Sequence, residues 1–199
     1  KPTISFHVDA VQALAKIPTE KYLTDRVDFA TFSSHKFHGV RGVGFVYIKS
    51  GKKITPLLTG GGQEGDYRST TENVAGIAAT AKALRLSMEK LDIFTNKTGQ
   101  MKSVICQALL DYPDIFVFSD EEDFAPHILT FGIKGVRGEV IVHAFEDYDI
   151  FISTTSACSS KAGKPAGTLI AMGVDKDKAQ SAVRLSLDLE NDMSQVEQF

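Results

Sequence analysis

The stretch VDFATFSSHKFHGVRGVGFVYIK (Val27–Lys49) decides how the chain folds. Its first apolar run predicts a strand over Val27–Phe32 that stops at Ser33 and Ser34. A second apolar run predicts a strand over Val43–Ile48, after Gly39 and Gly42. Lys36 stands between the two. By position alone it is an ordinary exposed loop lysine. A lysine placed directly after a buried strand can, however, be desolvated and act as a nucleophile or base. Its neighbours add weight to that reading. Ser33, Ser34 and His35 can donate hydrogen bonds to an anion, and Gly39, Gly42 and Gly44 permit a tight turn close to a ligand. The spacing G-x-x-G-x-G is not the dinucleotide fingerprint, because a strand follows it where a helix is required.

Upstream, Ile4–Val8 predicts a strand ending at Asp9, with Gln12 three residues on. Asp9 has two readings. It can cap a turn or short helix over Ala10–Ala15. It can also pair with the protonated ring nitrogen of pyridoxal phosphate (PLP), whose use as an electron sink depends on that charge.

Downstream, Leu57–Tyr67 predicts a loop carrying Gly60, Gly61 and Gly62. Helical spacing of Val74, Ile77, Ala78, Ala81, Leu84, Met88 and Leu91 predicts a long helix from Asn73 to about Asp92. A second helix is predicted over Thr98–Leu110, stopped by Pro113. Strands are expected at Ile115–Ser119, Ala125–Ile133, Phe151–Thr155 and Val183–Leu187. Helices are expected at Gly138–Glu146, Asp175–Ser181 and from Ser194 onward. The chain is therefore expected to be α/β throughout, with one unit over residues 1–92 and a second α/β unit over 93–199.

Bulk properties narrow the function. The 199 residues are 43% hydrophobic, enough for a substantial core. A formal net charge of −3, from 22 basic and 25 acidic residues, leaves no polybasic face for nucleic acid or anionic lipid. No apolar run approaches the roughly 18–20 residues that cross a bilayer, and no secretory signal pattern opens the chain. Five histidines show no ligand spacing with the cysteines, so no metal is expected. GKPAGT lacks the order of a P-loop. Cys106 falls at an apolar position of a helical pattern and reads as core. Cys158, in STTSACSSKAGKPAG, lies among small polar residues, with Lys161 and Lys164 near enough to favour thiolate.

HVDAVQALAKIP followed by VDFATFSSHKFHGVRGVGFVYI closely resembles the NifS/IscS-like cysteine desulfurases, of the class-V aminotransferase group of fold-type I PLP enzymes. The resemblance continues in order through GGGQEGDYRSTTEN, STTSACSS and AVRLSL, and so spans the chain. It implies a fold made of the C-terminal part of the PLP-binding large domain (1–92), then the small C-terminal α/β domain (93–199).

The resemblance also implies site roles. Lys36 would hold PLP covalently. Asp9 would pair with its pyridine nitrogen, Gln12 would approach the ring hydroxyl, and Ser33 and His35 would bind its phosphate. Thr71 would reach the cofactor phosphate of a neighbouring subunit, so a homodimer is implied. The family usually reads R-S-G-T there; this chain has Thr70 in place of the glycine, which bears on the loop's backbone. Arg184, otherwise a half-exposed strand arginine, would clamp the substrate carboxylate. Cys158 would take sulfur from L-cysteine as a persulfide, releasing L-alanine. It would pass the sulfur to an iron–sulfur scaffold or a tRNA-thiolation enzyme, in the cytoplasm.

Relatives carry a further stretch before the HVDAVQ strand that should supply the group stacked on PLP and a phosphate-binding loop. The chain by itself is therefore expected to bind PLP poorly and to turn over little. The alternatives are another class-V PLP enzyme, such as a selenocysteine lyase or an aminotransferase, or a docking module without chemistry of its own.

Overall fold

The computed structural model describes residues 4–119, 124–154 and 167–199. The chain divides into two compact units, Lys1–Asp92 and Ile93–Phe199.

The first unit holds a three-stranded sheet in the order β1 (His7–Asp9), β2 (Phe29–Ser33), β3 (Gly44–Ile48). β1 and β2 are parallel, with Asp9 opposite Thr31. β2 and β3 are antiparallel, with Ser33 opposite Gly44. Alternation along β2 buries Ala30 and Phe32 and leaves Phe29, Thr31 and Ser33 half-buried. The buried face packs with Leu14, Ala15, Tyr22, Val27 and Phe37 into the unit's core.

All three strands predicted for this unit begin late, at His7, Phe29 and Gly44. Val27 joins the core, and Asp28 anchors the start of β1. The Asp28 carboxylate accepts from the Phe6 amide (2.9 Å), and pairs with Arg26 (3.2 Å) and Lys52 (3.1 Å). The Phe6 amide bond, with Lys52 and Arg26 adding to it, holds this carboxyl below the ordinary aspartate range.

Helix α1 (Val74–Glu89) starts at Asn73, whose side chain accepts from the Gly76 amide. It ends one residue before α2 (Leu91–Leu110), so the predicted loop before Thr98 is helical. Phe94, Thr98, Met101, Ile105 and Leu109 supply the buried stripe that carries the helix through that segment.

The second unit is built on an antiparallel sheet in the order β4 (Ile115–Val117), β5 (Ile128–Ile133), β7 (Val183–Ser186), β6 (Ser153–Thr154). Leu129, Phe131, Val183 and Leu185 form one face and pack with Met101, Ile105 and Leu109 of α2. Ile141 of α3 (Gly138–Glu146) and Val196 of α6 (Met193–Gln198) complete that core. Short helices α4 (Gly167–Ala171) and α5 (Lys176–Gln180) lie before β7. Among the described residues no helix is long and apolar enough to cross a membrane.

Candidate active site

Parallel pairing puts the C-terminal ends of β1 and β2 at one edge of the first sheet. This is where open α/β sheets present their ligand sites. Asp9 closes β1 there. Ser33 closes β2 and leads directly into a 3-10 turn, Ser34–Phe37, that carries His35 and Lys36. In register, Asp9 stands opposite Thr31, so both side chains lie on the sheet face that Ser33 also shares, opposite the core. The His7 ring lies on this face too, its Nε2 3.3 Å from Thr31 Oγ1.

The capping reading of Asp9 is seen directly. Its Oδ1 accepts from the Val11 amide at 3.1 Å, a turn cap, and the residue is exposed. The cap uses one carboxylate oxygen and leaves Oδ2 for another donor. Ser33 is half-buried, and its hydroxyl makes no capping bond to the turn it precedes. His35 is exposed and Lys36 half-buried. Carboxylate, hydroxyl, imidazole and amine at one sheet edge match the needs of PLP: a partner for a charged ring nitrogen, donors for a phosphate, and an amine for an aldehyde.

The turn is tightly specified. Ser34 is fully buried, and its amide donates to the Val43 carbonyl (3.0 Å). Gly39 donates to the Ser34 carbonyl (3.0 Å), and His38 closes the turn in the left-handed conformation (φ 65°). A Cβ on Gly39 would lie 2.0 Å from Ser34 Oγ, and one on Gly44 would lie 2.5 Å from the Phe32 carbonyl oxygen. At these two glycines the room a side chain would fill is taken by the chain's own backbone and side chains. Gly42 alone of the three has a positive φ (78°).

Gln12 is exposed in the turns after Asp9, and Thr71 is exposed in the loop before α1. Thr70 is not among the residues with positive φ, so the backbone there suits a β-branched residue. In the second unit, Arg184 faces away from the core, paired in register with Thr130 on β5 and Ser153 on β6. Its Nε is buried with no hydrogen-bond partner among the described residues. Cys158, with Lys161 and Lys164, lies outside the described residues. Cys106 is buried in the α2 core. Among the described residues no group of three or more His, Cys, Asp or Glu could hold a metal.

Sequence reasoning missed Thr80. Its hydroxyl is 2.9 Å from Ser34 Oγ and 2.7 Å from the Gly76 carbonyl oxygen, in the buried contact between α1 and the Lys36 turn. The one available signal was a threonine in an alanine-rich helix, four residues after a glycine.

The Lys36 turn thus stands beside Asp9 at one edge of the sheet. The class-V aminotransferase family matches residues 1–199, and the chain belongs to that family. It is 50% identical over 199 residues to a NifS/IcsS protein homolog from Lactobacillus delbrueckii subsp. bulgaricus, covering all of this chain and 52% of that protein. It is 37% identical over 183 residues to a cysteine desulfurase from Trichormus azollae, covering 92% and 46%. A solved NifS-like protein superposes with a TM-score of 0.82 at 36% identity, over 97% of this chain and 49% of that one. The chain thus spans about half the length of the relatives it matches. The family is in general PLP-dependent.

Proposed function

We propose that this chain carries the lysine and the sulfur-accepting cysteine of a PLP-dependent cysteine desulfurase. The observation that carries the reading is the common sheet edge of Asp9 and the Lys36 turn. Bound PLP would supply an electron sink next to the amino group of an amino acid.

The protein's own groups do the rest. Asp9 Oδ2 would accept from the ring N–H and keep it protonated. Ser33 and His35 would donate to the phosphate, and Gln12 would approach the ring hydroxyl. Lys36 Nζ would hold the cofactor and, once free, move a proton at the substrate Cα. Arg184 binds the substrate carboxylate through its planar fork. Cys158 thiolate attacks the sulfur of L-cysteine. The new S–S bond forms as the Cβ–S bond breaks, the released electron pair goes to carbon, and that carbon is protonated to give alanine. Cys158 is left as a persulfide whose outer sulfur is passed to an acceptor protein, an iron–sulfur scaffold or a tRNA-thiolation enzyme. The assembly is a homodimer in which Thr71 reaches the partner's cofactor phosphate.

The test is alanine formation from L-cysteine by the full-length protein. Lys36→Ala should abolish it, with a loss of about 10³-fold or more. Cys158→Ala should abolish sulfur transfer. A class-V aminotransferase would tolerate the Cys158 change, and that tolerance would overturn the desulfurase reading.

A further inference from the structure

We infer that Thr80, on α1, is a positioning residue for Lys36, which rests on Lys36 being the cofactor lysine. Thr80 is 6% exposed and Ser34 is fully buried, so their hydroxyls can find partners only in each other and in nearby backbone. Each hydroxyl has one proton. Thr80 gives its own to the Gly76 carbonyl at 2.7 Å, and the Ser34 hydroxyl donates to Thr80 across 2.9 Å.

This short relay crosses from helix to turn. Ser34 is the first residue of the turn and lies two positions before Lys36. A second bond holds the far end of the same turn: Ser87 Oγ donates to the Phe37 carbonyl at 3.1 Å. Lys36 is therefore suspended between two residues that α1 grips. The absence of side chains at Gly39 and Gly76 allows this approach. A Cβ on Gly39 would strike Ser34 Oγ, and one on Gly76 would lie 2.8 Å from Val43 Cγ2. Thr80 is buried against Ser34, the first residue of the turn. It sets the angle at which the turn presents Nζ to the open sheet edge.

Three variants of the full-length protein test this: Thr80→Ser, Thr80→Val, and Thr80→Val combined with Ser34→Ala. Two readouts are used. The first, in cofactor-free protein, is thermal unfolding together with hydrogen exchange of the Ser34 and Gly39 amides, which bond within the turn. The second is the rate at which added PLP is fixed on the Lys36 peptide by borohydride reduction.

Thr80→Val strands the Ser34 hydroxyl, so exchange at these amides should rise about tenfold and the melting temperature should fall. The double variant leaves no orphan, so its melting temperature should return towards wild type. Its PLP fixation should nevertheless stay slow, by about tenfold, because the turn has lost its orientation. Thr80→Ser should behave as wild type in both readouts. A purely structural Thr80 would restore fixation together with stability in the double variant, and that result overturns the inference alone. Wild-type fixation in Thr80→Val, or slow fixation in Thr80→Ser, also overturns it alone. If wild type itself fixes no PLP on Lys36, the cofactor reading falls and this inference with it.

Discussion

At the scale of single residues, the Lys36 turn depends on side chains that are absent as much as on those present. Gly39→Ala places a methyl against the Ser34 hydroxyl and 2.9 Å from its carbonyl oxygen, so the turn must move. We expect a loss of about 1–3 kcal/mol and slower PLP fixation on Lys36. Gly42→Ala meets nothing within 4 Å, but sits at φ 78°. It should cost about 1–2 kcal/mol from backbone strain, with fixation nearly unchanged. Denaturant unfolding of both variants, alongside fixation rates, separates the two. That Asp9, Ser33 and Lys36 stand at or just after strand ends was legible in sequence, because a change from apolar to polar residues marks those ends; the roles expected of them came from the family resemblance. The use of Gly39 and Gly44 was not legible. A glycine's spacing carries no record of whether a ligand or the chain's own atoms need the room.

At the scale of elements, α1 shows what periodicity conveys and what it omits. The recurrence of Val74, Ile77, Ala81 and Met88 identified the helix, yet these residues are exposed. Gly76, Thr80, Ala83, Leu84 and Ser87 make the inner face, a mostly small and polar set that lets the helix sit close to the turn. Period fixes the element type; which face packs is settled by tertiary fit. The same holds for α2, whose start at Leu91 follows from a buried stripe through Phe94 that a single-residue break at Lys90 disguised.

Asp28 governs the entry into β1, and through it the placement of Asp9. Its folded carboxyl titrates below the ordinary range because the Phe6 amide and two cations favour the charged form. The stabilisation it gives is therefore present above the unfolded aspartate range and is lost as pH falls through the folded value. Asp28→Asn should lower the melting temperature at neutral pH and flatten its decline in acid. A melting-temperature series from neutral to acid pH reads both effects, and a parallel displacement of the two curves would contradict the assignment.

At the scale of the molecule, the chain is two compact units that meet in sequence at Asp92 and Ile93. Their candidate residues divide between them: Asp9, Gln12, Ser33, His35, Lys36 and Thr71 in the first, Arg184 and Cys158 in the second. The family and the α/β fold were legible because several short motifs recur in a fixed order along the chain. The burial of Arg184 Nε without a partner among the described residues was not, since it depends on three strands whose register no local pattern records. The proposed desulfurase chemistry calls on residues of both units, Lys36 of the first and Cys158 of the second. It is tested most directly by the mass of the full-length, PLP-loaded protein after L-cysteine is added. A gain of one sulfur is expected on the Cys158 peptide, absent in Cys158→Ala and in Lys36→Ala. An unchanged mass in wild type, or alanine formation that persists in Cys158→Ala, would contradict it.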